Sequence, residues 1–268
     1  SLVASVPASA NLVVEADSGE GSVVIRVDGF EGIAAASIKR VDLVINGQAI
    51  PIGHAPYLMA RQASDFVLNA DYSVRADIYN LNSVKVGSTA TKTFRLTEVN
   101  QLIQNSSFES GSASWAYNAG VVFGQNNGEA QYYRSFLGNR FVRMGGTGVA
   151  HTQFVRQQVY LPGNAVAATL SYRVRVDPMA APDAGDRLRV RIKNTSNQII
   201  QAVETVTGTV DTHKSFFWRA YRKTVASVIQ TKGQHIRVEF ESTEDAGNGT
   251  IFYVDNVSLT YRVLGITQ

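Results

Sequence analysis

Two carboxylates stand in unusual company. Glu109 follows a phenylalanine inside a run of small polar residues, "NSSFESGSASW" from Asn105 to Trp115, and Asp255 interrupts the alternating apolar run "FYVDNVSL". Serine and glycine build no core, so Phe108 and Trp115 must be buried by other parts of the chain. Glu109, set directly behind a buried ring, then points in a defined direction. In a two-sheet sandwich the first and last strands commonly lie side by side, which would bring Glu109 and Asp255 together. Two neighbouring carboxylates repel and raise each other's pKa unless a cation lies between them. Calcium suits such a pair, being a hard ion that accepts carboxylate, carbonyl and water oxygens in flexible geometry. Two plainer readings compete: loop capping, or ion pairing with Arg140 or Lys193. A catalytic dyad would have to flank an open cleft, and this pair adjoins buried aromatics.

A second chemistry is planar anion capture. In "RLRVRIK" the alternation sets Arg187, Arg189, Arg191 and Lys193 opposite Leu188, Val190 and Ile192. "SYRVRV" likewise sets Arg173 and Arg175 opposite Tyr172, Val174 and Val176, and "HIRVEFE" sets His235, Arg237, Glu239 and Glu241 outward. If these strands share a sheet, its solvent face is rich in guanidinium groups. Arg189 and Arg191 would then be candidates for bidentate capture of an acidic glycan or lipopolysaccharide. The competing reading is a solubilising face of cross-strand Arg–Glu pairs, each worth under about 1 kcal/mol.

Aromatic rings are the third resource, because a ring stacks on the apolar face of a pyranose. Tyr132 and Tyr133 stand in the polar run "NNGEAQYYRSFLGN", Tyr117 follows Trp115, and Trp218 lies in "SFFWRAY". All four are candidate ligand contacts, whereas Trp115 is expected in the core. The acidic stretch "STEDAGNGT" offers Glu244 and Asp245 to a second cation or, more plainly, forms a solvated turn. Several chemistries lack their motifs. His54, His151, His213 and His235 are scattered without metal-ligand spacing, no Gly-x-Ser-x-Gly elbow occurs, and "MGGTG" lacks the Lys-Ser/Thr of a phosphate loop. The chain has no cysteine, which removes disulfides, thiolate metal sites and cysteine nucleophiles.

Strands must position all of these groups. "SVVIRVDGF", "IKRVDLVING", "DYSVRADIYN" and "TATKTFRLT" alternate over short runs broken by Gly, Asn, Asp and Pro, predicting about seven strands in residues 11 to 97. That spacing predicts an Ig-like sandwich, without the Cys pair and Trp of antibody domains. Asn46-Gly47 marks a hairpin turn, and Asp71-Tyr72 stands where sandwiches often place a tyrosine corner. After a break near "RLTEVNQLIQ" the strands lengthen, and eight or nine of them predict a double-sheet jelly roll. The one possible helical turn is in "RKTVASVIQTKG", where a strand followed by a turn fits equally well. The expected fold class is therefore all-β, with domains at 1–98 and 99–268. A hydrophobic fraction of 44% with 18% charged residues indicates a folded globular chain. Its net charge of +3 is far from a nucleic-acid footprint, and no apolar run suffices for a membrane span. The start at "SLVASVPASA" leads us to expect a mature or excised fragment.

The later motifs carry a family resemblance. "LIQNSSFESGSASW", "QQVYLPGNAVAATLSYRVRV", "DRLRVRI" and "GQHIRVEFESTEDAGNGTIFYVDNVSL" resemble, in this order, the galactose-binding-like jelly roll. The form is that of carbohydrate-binding modules and of C-terminal accessory domains in secreted bacterial proteases and glycosidases. The resemblance spans residues 100 to 262, and an Ig-like module before such a jelly roll is a familiar arrangement. It implies a structural calcium (Ca2+) at Glu109 and Asp255, completed by backbone oxygens near Ser107 and around Asn139. It further implies a non-catalytic, secreted or cell-surface adhesion module. Its partner would be a polysaccharide or cell-surface glycan, alongside other domains of a larger secreted protein. The alternative is a spacer or tip domain working through protein–protein contacts.

Overall fold

The computed structural model describes residues 7–16, 22–99, 101–125, 135–179, 181–209 and 218–267. They gather into two units. The first holds the residues up to 99 together with 164–167 and 262–267, and the second holds 101–163 and 168–261. Two short segments from the region read as the second domain thus cluster with the first unit.

Period-2 alternation builds the first unit from β1 (Ser9–Ala16), β2 (Ser22–Glu31), β3 (Ile38–Ile45), β4 (Gln48–Ile52), β5 (Tyr57–Gln62), β6 (Asp71–Asn80), β7 (Lys85–Ser88) and β8 (Lys92–Val99). One sheet has the order β1-β2-β5; the other runs β8-β6-β3-β4, with the short β7 also beside β6. Their inward residues share one core, including Val23, Ile25, Leu43, Val74 and Phe94, all fully buried. Burial of each such aliphatic side chain contributes about 1.5–3 kcal/mol. The β3–β4 hairpin closes through Asn46 and Gly47, at φ 48° and 84°, which is the positive-φ pair a two-residue turn requires. Tyr72 stacks on Phe94 with centroids 5.3 Å apart, and its hydroxyl accepts the Val67 N–H at 2.8 Å. That bond ties the start of β6 to the loop before it.

The second unit contains β9 (Ala116–Tyr117), β10 (Val122–Gln125), β11 (Arg140–Gly145), β12 (His151–Leu161), β13 (Ala165–Pro178), β14 (Asp183–Asn194), β15 (Ile199–Gly208), β16 (Arg219–Thr224), the short α1 (Val228–Thr231), β17 (Gln234–Glu244) and β18 (Thr250–Thr267). The first three residues of β13 and the last six of β18 belong to the first unit. A five-stranded antiparallel sheet has the order β15-β14-β17-β12-β9. The second sheet places β18 between β11 and β13, with β10 beyond β11 and β16 beyond β13. Val155, Val190, Val238 and Phe240 point inward and are fully buried. The run "RKTVASVIQTKG" resolves into the end of β16 followed by one helical turn.

One expectation fails here. The strand carrying Arg173 and Arg175, β13, does not share a sheet with β14 and β17. Arg175 is 1% exposed, lies over the Tyr253 ring at 4.9 Å and sits 3.8 Å from Asp177. Alternation distinguishes the two faces of a strand, but it carries no information on which sheet the strand joins.

Candidate functional site

The small residues around Phe108 form a loop organised by Asn105. Its side-chain oxygen accepts the Ser110 N–H at 3.0 Å, and its amide donates to the carbonyls of Gly111 and Ala113 at 2.9 and 3.0 Å. Phe108 adopts φ 59°, and its ring is fully buried 5.0 Å from that of Trp115. The indole N–H donates to the Asn105 carbonyl at 3.1 Å. Glu109 emerges at the exposed rim of this loop.

Its carboxylate meets the segment that leads into β11. Glu109 Oε1 accepts the backbone N–H groups of Asn139 and Arg140 at 2.9 and 2.8 Å. Asp255 holds the same segment from β18, its Oδ2 accepting from Phe136 and Leu137 at 2.7 and 3.0 Å. Its Oδ1 accepts from Asn256 at 2.6 Å. The two carboxylates, 146 positions apart in sequence, therefore grip one five-residue strap, Phe136 to Arg140. Burial pushes the Asp255 carboxyl up to about 6; three backbone N–H groups pull it down, and the neighbouring Glu109 charge adds to the rise. Arg140 contributes its backbone N–H, while Lys193 pairs instead with Glu239. Asn139 presents an N–H donor to Glu109, and Ser107 is half-buried nearby in the sequence. Both carboxylates are thus engaged by backbone N–H groups of one strap.

The arginine face is internally paired. On β14, Arg189 and Arg191 approach Glu241 of β17 at 3.6 and 3.0 Å. Glu239, 1% exposed, sits between Lys193 and Arg156, the latter at 3.7 Å. The register places Arg191 opposite Glu239 and Arg189 opposite Glu241, so opposite charges meet directly across the strands.

The candidate aromatics fall in different places. Tyr117 is 49% exposed on β9 and packs edge-on against Phe123 at 5.1 Å. Trp218 packs against the buried cluster of Phe141, Ile251 and Tyr253. Tyr132 and Tyr133 lie outside the described residues.

A groove of about 410 Å³ opens elsewhere, lined by Leu102, Gln104, Ser114, Gln157, Gln158, Val159 and Tyr160. Gln157 builds its wall: its side-chain oxygen accepts the Gln104 N–H at 2.7 Å, and its amide donates to the Gln104 carbonyl at 2.8 Å. Gln104 in turn accepts from the Ser114 hydroxyl at 3.1 Å. Tyr160, 49% exposed at the end of β12, is braced edge-on by His235 at 5.3 Å. No lining residue is charged, so the groove offers a ring, amides and a hydroxyl. Sequence reading passed over Tyr160, although its alternation with Val159 and Leu161 already set it outward.

No protein-family model matches the chain. No curated protein matches it either. Among solved structures, it is similar to the carbohydrate-binding module TmCBM61 in complex with β-1,4-galactotriose, with 14% identity, 60% of this chain and 98% of that chain covered, and a TM-score of 0.44. It is also similar to a non-crystalline-cellulose-specific module, CBM28, with 12% identity, 59% and 94% coverage, and a TM-score of 0.40. The K1 cleaved adhesin domain of Lys-gingipain from Porphyromonas gingivalis W83 shows 17% identity, 61% and 97% coverage, and a TM-score of 0.40. No helix among the described residues is long and apolar enough to cross a membrane.

Proposed function

We propose that this protein is a non-catalytic extracellular binding module that recognises a neutral glycan in the groove beside Tyr160. The observation that carries the reading is the groove's lining: one exposed, braced tyrosine ring, the amides of Gln104 and Gln158 and the Ser114 hydroxyl, without a charged group. A ring with a polar tip supplies contact area at low conformational cost, and a few fixed polar groups orient a ligand. Such a set matches a polyhydroxylated ring better than an anion. The paired arginines of β14 support the same preference, since capturing an acidic ligand there would break existing Arg–Glu contacts. The natural setting of such a module is a larger secreted or cell-surface protein.

A structural calcium at Glu109 and Asp255 is part of this reading. What supports it is one buried and one exposed carboxylate sharing a strap, with repulsion between them that a cation would relieve. The deciding experiment is a glycan-array screen of the whole chain, in calcium and in EDTA, with Tyr160→Ala alongside. Selective binding, weakened at least ~10-fold by Tyr160→Ala (about 1.4 kcal/mol) with an unchanged melting curve, is the expected result. Silence from demonstrably folded wild type would overturn it in favour of a spacer or tip domain acting through protein contacts.

A further inference from the structure

Three aspartates converge at one end of the five-stranded sheet, away from both the groove and the strap. Asp183 and Asp186 open β14, and Asp245 directly follows β17; one carboxylate oxygen from each lies within 4.8 Å of the other two. The local backbone makes room for them. Asp183 accepts the Gly185 N–H at 2.7 Å, and a Cβ on Gly185 would overlap an Asp245 carboxylate oxygen. Asp186 is fully buried. Its Oδ1 accepts the Asp245 N–H at 3.0 Å, while its Oδ2 has no hydrogen-bond partner. The Thr250 hydroxyl, also fully buried, lies beside the Asp186 carboxyl without reaching normal hydrogen-bond geometry.

Charge makes the arrangement costly as it stands. Asp186 is fully buried, and one carboxylate oxygen each of Asp183 and Asp245 crowds its own, so like charges meet where water is excluded. The carboxylate next to Asp245 in the chain, Glu244, is occupied elsewhere, accepting the backbone N–H groups of Thr147 and Gly148. Among the described residues, no lysine or arginine forms an ion pair with Asp183, Asp186 or Asp245. Buried polar atoms without partners are few in native proteins. A buried carboxylate oxygen, an adjacent orphaned hydroxyl and two further carboxylates constitute an all-oxygen donor set for a hard cation.

We propose that Asp183, Asp186 and Asp245 form a calcium site that ties the start of β14 to the turn between β17 and β18. It stands apart from the glycan reading and from the calcium proposed at Glu109 and Asp255. Calcium is preferred to magnesium because the donors come from separate segments and match a flexible coordination shell better than a strict octahedron. The site also gives Asp245 a role beyond that of a solvated turn.

The test is calorimetric titration of the EDTA-stripped, dialysed whole chain with CaCl2, and separately with MgCl2. Wild type is compared with Asp183→Asn, Asp245→Asn and Glu109→Gln, each checked for native far-UV circular dichroism. Asp245 is exposed, so its variant should fold even if a change at Asp183 does not. The expected result is a calcium-binding event weakened at least ~10-fold in Asp245→Asn and Asp183→Asn but retained in Glu109→Gln. Wild type that binds no calcium would overturn the proposal, as would aspartate variants that titrate like wild type. Loss of all calcium binding in Glu109→Gln alone would assign the metal to the strap instead, and equal affinity for magnesium would overturn the choice of ion.

Discussion

Gly138 shows how much a single residue can hold. Its φ is 72°, and a Cβ there would stand 2.5 Å from the Glu109 carboxylate. Gly138→Ala should therefore cost about 1–2 kcal/mol for the left-handed backbone alone, with the displaced carboxylate adding to it. Urea denaturation would read that loss. Asp77 offers a sharper test because its direction depends on pH. Burial raises its carboxyl, but Lys85 at 2.9 Å, Arg75 at 3.2 Å and the Ser88 hydroxyl at 2.8 Å outweigh burial and leave it below the usual range. A depressed folded pKa stabilises above the unfolded value near 3.9, and the contribution disappears as pH falls through the folded value. Asp77→Asn should thus destabilise by about 1–3 kcal/mol at pH 7. The wild-type advantage should shrink below about pH 4; a deficit that stays constant down to pH 2 would refute this account.

At the scale of elements, alternation and its exceptions carry the argument. Phe240 on β17 is fully buried and meets Tyr172 edge-on at 5.2 Å, whereas Phe154 on the adjacent β12 faces outward and is half-buried. Phe240→Ala should cost about 3–5 kcal/mol. Phe154→Ala should cost much less, and matched melting curves of the two variants would show it. The strap makes the second element-scale prediction. If calcium joins Glu109 and Asp255, saturating calcium should raise the melting temperature of wild type, by an amount equivalent to about 2.7 kcal/mol at a hundredfold excess over Kd. Glu109→Gln should lose the share of that shift that the strap supplies and keep any share that comes from Asp183, Asp186 and Asp245. Phe108 and Trp115 were legible as core because no other large apolar residue stands in their run. The strap was not, since its backbone N–H groups have no signature in side-chain pattern.

Considered whole, the molecule has two units that are not two consecutive stretches of chain. Residues 164–167 and 262–267 belong with the first unit, where Val166 is fully buried and Arg262 donates to the Ala63 carbonyl at 3.2 Å. A fragment ending at residue 98 lacks all of this. Burial of Val166 alone contributes about 1.5–3 kcal/mol, so the fragment should be less stable than the same unit in the whole chain by at least that much. Hydrogen exchange in the β6 amides of both would measure the difference. Equal protection would mean that the two later segments are dispensable.

What the sequence determined by itself is local: strand by strand, which residues face inward, where Asn46 and Gly47 turn the chain, and that Glu109 and Asp255 stand where apolar neighbours pin them. Those features follow from side-chain period and from backbone conformations that few residue types adopt, both written in adjacent letters. Which sheet each strand joins was decided only in the folded molecule, and so Arg173 and Arg175 left the arginine face that their pattern promised. The groove at Tyr160 and the convergence of Asp183, Asp186 and Asp245 arose in the same way. Each joins residues separated by tens of positions, and long-range pairing depends on the packing energy of whole sheets, which no short run of sequence encodes.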